Sequence, residues 1–223
     1  MRRVVFDIET VGCDLDALDE TSREYFLKFA DTPQKVEEAK SSLNFYPLTA
    51  QIVAIAMLDV ATGKGAVYFQ ENGGTEKTFQ DNGVNFFPCE EKGLLQNFWD
   101  KMQHYDQFIT FNGRLFDCPF LMLRSAMLHV RPSKHLIPYR YNHAIHIDLA
   151  DQLSFYDALR RRFSLHMWCR AFGIASPKAG GMSGLDVKTF FEGGRGGDIA
   201  RYCLGDVWAT RELFFYWDKY LKF

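Results

Sequence analysis

The sequence predicts an α/β fold, one mixed five-stranded sheet whose first three strands are antiparallel and whose helices cover both faces. Three observations carry this. Short β-branched and aromatic runs (Val4–Phe6, 51–60, 65–70, 107–111) read as strands that suit a pleated core. Between and after them, apolar residues recur at helical spacing, as at Leu94, Leu95, Phe98, Trp99 and Met102. The 223 residues are 47% hydrophobic and 16% aromatic, enough for a substantial core and too apolar for a disordered chain. Alternating strand and helix signals then imply layers of helices on a sheet, here a single domain over residues 1–223.

Taken in order, the first strand comes at once, MRRVVFDIET, and residues 12–44 form a polar insertion with weak helical patterns in EYFLKFA and KVEEAKSSL. Residues 51–60 and 65–70 make an antiparallel hairpin around Ala61-Thr-Gly-Lys-Gly65. ENGGTEKTFQDNGVN reads as an exposed loop because Gly, Asn and Thr dominate it. A helix over 90–104, a fourth strand at 107–111 and a helix over 117–128 follow, with Pro119 tolerated in its first turn. Residues 130–147 are loop-like, and IHIDL at 145–149 is a fifth short strand. Helices are expected at 151–162, 164–172, 185–191 and from Asp198 to about Tyr220, with glycine runs (KAGGMSG, GGRGG) between the later ones.

Composition excludes some function classes. Five scattered cysteines, odd in number and without a C-x-x-C pair, read as reduced thiols of a cytoplasmic protein, not a disulfide frame or zinc site. Asp7 interrupts the apolar run after Arg2-Arg3, so no signal peptide is expected, and no stretch has the length of a membrane span. The net charge of −2 provides no global basic field for nucleic acid, although a carboxylate-lined metal site would make a nuclease count as acidic. The 21 phenylalanines are assigned to core packing first, with stacking on unwound bases as the alternative.

Chemistry concentrates in three stretches. In a strand Asp7 and Glu9 share one face while Phe6 and Ile8 share the other. Two carboxylates so placed repel and lose hydration unless a cation lies between them, and a hard divalent ion is the simplest neutraliser. The alternative is a solvent-facing carboxylate and a turn cap. The second stretch is FNGRLFD, 111–117, where a strand ends, glycine permits a tight loop and Asp117 opens a helix; alone it reads equally as an N-cap. The third is YCLGD, 202–206, whose Tyr202 and Asp206 stand at i and i+4 on one helical face.

In combination, DIET, NGRLFD and YCLGD occur in the order and rough separation of the DEDD exonuclease motifs. The sequence resembles the DnaQ-like 3′→5′ exonucleases of RNase H-like fold, in the branch whose third motif carries tyrosine, and in particular the proofreading exonuclease domain of family-B DNA polymerases and small stand-alone bacterial proteins related to it. The resemblance runs from Val4 to about Leu213. It implies that Asp7, Glu9, Asp117 and Asp206 bind two divalent metal ions, Mg²⁺ or Mn²⁺, with Asp7 bridging, and that Tyr202 orients the attacking water. The histidine branch would carry its base at the position of Arg201, which this chain lacks. The family further implies that Thr10 and Val11 lie against the 3′-terminal nucleotide, and Asn112 and Phe116 near the penultimate one.

The implied activity is metal-dependent hydrolysis of single-stranded nucleic acid from its 3′ end, releasing nucleoside 5′-monophosphates, with DNA favoured over RNA. The implied partners are that 3′ end and a separate polymerase or repair protein. Alternatives are an exoribonuclease and a non-catalytic nucleic-acid-binding module of the same fold. From residue type alone, Lys178 and Lys188, flanking the glycine-rich stretch, are candidates for phosphate contacts, while Arg160-Arg161-Arg162 reads as a solvated helix face. Asp148 and Asp151 read as caps of the following helix, and His135, His143 and His146 as surface-loop residues.

Overall fold

In a computed structural model, residues 1–73, 77–176, 184 and 186–222 are described. Seven strands among them form one mixed sheet: β1 (Arg3–Gly12), β2 (Ala50–Asp59), β3 (Gly65–Phe69), β4 (Phe79–Asp81), β5 (Val84–Pro88), β6 (Gln107–Thr110) and β7 (His146–Asp148). Their order across the sheet is β4-β5-β3-β2-β1-β6-β7. β1, β2 and β3 are antiparallel neighbours, as the hairpin signal predicts, and β6 and β7 join parallel to β1.

The count of five strands is corrected by β4 and β5, which fall in the stretch read as an exposed loop. Asn82 (φ 47°) and Gly83 (φ 79°) form the tight turn between them, the backbone that Asn-Gly favours in a two-residue hairpin. Phe79 stacks on Phe86 with ring centroids 4.4 Å apart, and β5 pairs parallel with β3. Neighbouring polar residues hid two short strands held by that stack.

The helices are α1 (Glu20–Leu27) and α2 (Pro33–Ser42) in the insertion, then α3 (Glu91–Met102), α4 (Asp117–Met127), α5 (Leu149–Leu153), α6 (Leu165–Phe172), α7 (Val187–Glu192) and α8 (Gly196–Tyr220). They divide the core in two. On one face Val4, Phe6 and Ile8 of β1 pack with Leu94, Leu95, Phe98 and Trp99 of α3 and Phe120 and Leu121 of α4. On the other, Val5 and Val11 pack with Ile199, Cys203, Val207 and Leu213 of α8. Each large side chain buried this way contributes on the order of 1.5–3 kcal/mol. The alternation along β1 therefore places Asp7 and Glu9 on the α8 side.

The helix expected over 151–162 stops at Leu153. Phe155, Tyr156, Asp157 and Arg160 have φ of 49°, 55°, 71° and 55°, left-handed values that cost non-glycine residues roughly 1–2 kcal/mol each. The last helix begins at Gly196, two residues earlier than expected, with Gly196 and Gly197 buried. His146 is a buried strand residue, not a loop residue: its Nε2 lies 2.8 Å from Thr110 Oγ1 and its ring stacks on Phe108. None of the described helices is long and apolar enough to cross a membrane.

Candidate active site

β6 pairs with β1 only as far as Val5, and beyond that point the β1 edge opens. Asp117, the first residue of α4, enters this opening and accepts a hydrogen bond from the Ile8 N–H at 3.0 Å. One of its carboxylate oxygens is thus bonded to β1, while Phe116 holds the cap position that the local reading gave to Asp117. The approach is tight at Gly113, where a Cβ would come 2.5 Å from both Cβ and Oγ1 of the fully buried Thr110.

From the opposite side α8 brings Tyr202, Cys203 and Asp206 to β1. The Cys203 thiol donates to the Asp7 carbonyl at 3.4 Å and lies 3.9 Å from the Asp7 carboxylate. Ligand atoms of Asp7, Glu9 and Cys203 all fall within 4.8 Å of one another. Sequence reasoning missed Cys203, although a position three residues before Asp206 puts it on the same helical face.

Electrostatics tie the four carboxylates into one group. Burial pushes Asp7 well above the usual carboxylate range, and Asp117, Asp206 and Glu9 push it further. Burial likewise raises Glu9, aided by Asp206 and Asp117. Asp117 is pushed up to about 7 by burial, even though the Ile8 N–H favours its charged form. Burial first, then Asp206, Glu9 and Asp7, hold the Tyr202 phenol far above its ordinary value, which favours its protonated form.

Among the described residues, the neighbours that shift Asp7 and Glu9 are acids. Clustered hard oxygen donors that raise one another's proton affinity are the chemistry that Mg²⁺ or Mn²⁺ satisfies, and the carboxylates fit such ions.

The remaining predicted residues are placed as follows. Thr10 is buried and its hydroxyl donates to the Asn44 carbonyl at 2.8 Å; Val11 is 5% exposed and packs in the α8-side core. Asn112 has φ 62°, its N–H donates to Asp148 Oδ1 at 2.8 Å, and its Oδ1 accepts from Arg162 Nη1 at 3.0 Å. Half-buried Phe116 lies against Phe120 and the exposed Phe45, at ring distances of 5.1 and 6.4 Å. Lys178 lies outside the described residues, and Lys188 pairs with Asp14 at 2.5 Å.

Asp148 caps α5 through the Ala150 N–H and also receives the Asn112 and Arg114 N–H groups. Asp151 is no cap; it is buried among Arg114, Arg140 and Arg162. The arginine run 160–162 is not on a helix, and Arg162 pairs with Asp151 and Asp157.

Residues 44–220 match the family described as "Predicted 3′-5′ exonuclease related to the exonuclease domain of PolB". No curated protein matches the sequence. Among solved structures, the family B DNA polymerase from the hyperthermophilic archaeon Pyrobaculum calidifontis is similar, with a TM-score of 0.60 at 18% identity. The similarity covers 97% of this chain and 24% of the polymerase. At that identity it bears on the fold, and the mixed sheet matches that of a polymerase-type exonuclease domain, which is RNase H-like.

Proposed function

Because the chain belongs to the family of predicted 3′-5′ exonucleases related to the exonuclease domain of PolB, we propose that it is a metal-dependent 3′→5′ exonuclease acting on single-stranded nucleic acid, DNA in preference to RNA. The observation that supports this is that Asp7, Glu9, Asp117 and Asp206, carried by β1, α4 and α8, act on one another, neighbouring acids raising the proton affinity of Asp7, Glu9 and Asp117. A module that only bound nucleic acid would gain nothing from a cluster that repels phosphates.

Asp7, central on β1, would hold two divalent ions together with Glu9, Asp206 and Asp117. When bound, such ions supply Lewis acidity that makes water nucleophilic near neutral pH and stabilises charge on the departing 3′ oxygen. The chain's own contribution is orientation. Tyr202, whose protonated form burial and the neighbouring acids favour, would donate its O–H to the attacking water. Asp117 ties the start of α4 to β1 through the Ile8 N–H, which holds the second motif against the first. Thr10, Val11, Asn112 and Phe116 are assigned to the terminal and penultimate nucleotides, and Lys178 to the phosphate backbone.

The deciding experiment compares all-deoxy and all-ribo 5′-labelled oligomers with Mg²⁺ or Mn²⁺. The reading expects a ladder shortening from the 3′ end, nucleoside 5′-monophosphates as product, and the faster rate on the deoxy strand. Equal inertness of both strands with either ion would refute it.

A further inference from the structure

The second-motif loop is held by side chains from outside its own strand and helix. Asp148 fixes the Asn112 and Arg114 N–H groups at 2.8 and 2.9 Å. Beside it, Asp151, 2% exposed, receives Arg140 Nη2 at 2.6 Å and Arg162 Nη2 at 2.9 Å. Asp157, in the left-handed turn after α5, takes the same two arginines, at 2.9 Å from Arg140 Nη2 and 2.9 Å from Arg162 Nε. With two edges of its guanidinium so engaged, Arg162 directs Nη1 to Asn112 Oδ1 at 3.0 Å.

We propose that Arg162 is a positioning residue that fixes the flip of the Asn112 amide, so that its Nδ2–H₂ group is presented to an oxygen acceptor of the bound strand. A guanidinium only donates, so the amide oxygen must face it and the NH₂ group must face away. The Asn112 backbone cannot compensate by turning, because its left-handed φ and its N–H are already fixed by Asp148. Among the described residues Nδ2 donates to no protein acceptor, which leaves both N–H bonds for a ligand. Two N–H donors select a phosphate or sugar oxygen, and without Arg162 nothing keeps the amide from turning its own oxygen toward that acceptor. Asp157, in the strained turn, holds the Arg162 guanidinium where it reaches both Asp151 and Asn112. Lysine cannot replace it, since one ammonium cannot fork to three acceptors so spaced.

The ligand's identity rests on the exonuclease reading; the amide's orientation does not. The test therefore has two readouts. In ¹⁵N spectra the Asn112 side-chain pair is assigned by its loss in Asn112→Asp, and Arg162→Ala is expected to shift that pair while leaving the pairs of Asn44 and Asn97 in place. In single-turnover kinetics Arg162→Ala is expected to lower kcat/KM about 10- to 100-fold, the range for a lost charge-assisted hydrogen bond. Arg162→Lys should fail to rescue, and Asn112→Ala should cost nothing further in the Arg162→Ala background. Arg162→Gln serves in both readouts where the alanine variant does not fold. An unmoved Asn112 pair, or additive losses in the double variant, overturns the proposal. Should the parent degrade no oligomer, the exonuclease reading fails, and the Asn112 resonances alone still decide the positioning.

Discussion

At the scale of single residues the site is defined by acids that destabilise one another. A carboxylate whose proton affinity is raised in the folded state contributes stability below its unfolded value, near pH 4, and that stability is lost as pH rises through the folded value. Asp117 at about 7, with Asp7 and Glu9 also raised, extends this loss to neutral pH. Asp7→Asn should therefore raise the Tm in metal-free buffer, more at pH 8 than at pH 5, while abolishing turnover; differential scanning calorimetry at the two pH values checks the sign. Tyr202→Phe removes one donor and little else, so kcat should fall on the order of 10²–10⁴-fold with metal and substrate affinity retained. A single-turnover rate equal to the parent's would remove Tyr202 from the chemistry.

At the scale of elements, the legible parts were those with a local signal. Alternation in VVFDIE placed Asp7 and Glu9 together on one face of β1, and helical spacing placed Tyr202 and Asp206 together on α8. The convergence of β1, α4 and α8 came only from resemblance, because nothing local says that Asp117 reaches Ile8 across 109 residues. The end of α5 was illegible for the same reason: residues 154–162 are compatible with helix, and the arginine pairs to Asp151 and Asp157 accompany a left-handed path instead. The β4–β5 hairpin is a different case, since its Asn-Gly signal was present and outweighed by polar neighbours. Gly113 has a defined role that a single substitution tests. Gly113→Ala forces a Cβ against buried Thr110, so it should displace the loop that carries Asn112 and Asp117. Activity should fall at least tenfold, about 1.4 kcal/mol in the barrier, and an oligomer assay alongside a melting curve would show whether the loop or the whole fold yields.

Across the whole molecule the sheet carries a second group whose proton affinity is shifted, in the opposite direction, on β7. Burial, and then Arg114, lower His146 to about 3, so β7 holds a neutral imidazole. A depressed histidine contributes stability present above its unfolded value near 6.5 and lost as pH falls from there toward 3. Chemical denaturation between pH 7 and pH 4 should show this loss at up to about 1.4 kcal/mol per pH unit, and His146→Gln should remove that component. Metal-free protein is thus squeezed from both directions, by His146 in acid and by the carboxylates toward neutral pH. Ions that bind only the folded state relieve the second, adding about 2.7 kcal/mol at a concentration of 100 Kd. The measurement that bears most directly on the central claim uses a 5′-labelled linear single strand and its circular form, with Mn²⁺ or Mg²⁺, for parent and Asp7→Asn. The account predicts stepwise shortening of the linear strand from its 3′ end by the parent alone, with the circle intact. Cutting of the circle, or shortening by Asp7→Asn at the parent's rate, would contradict it.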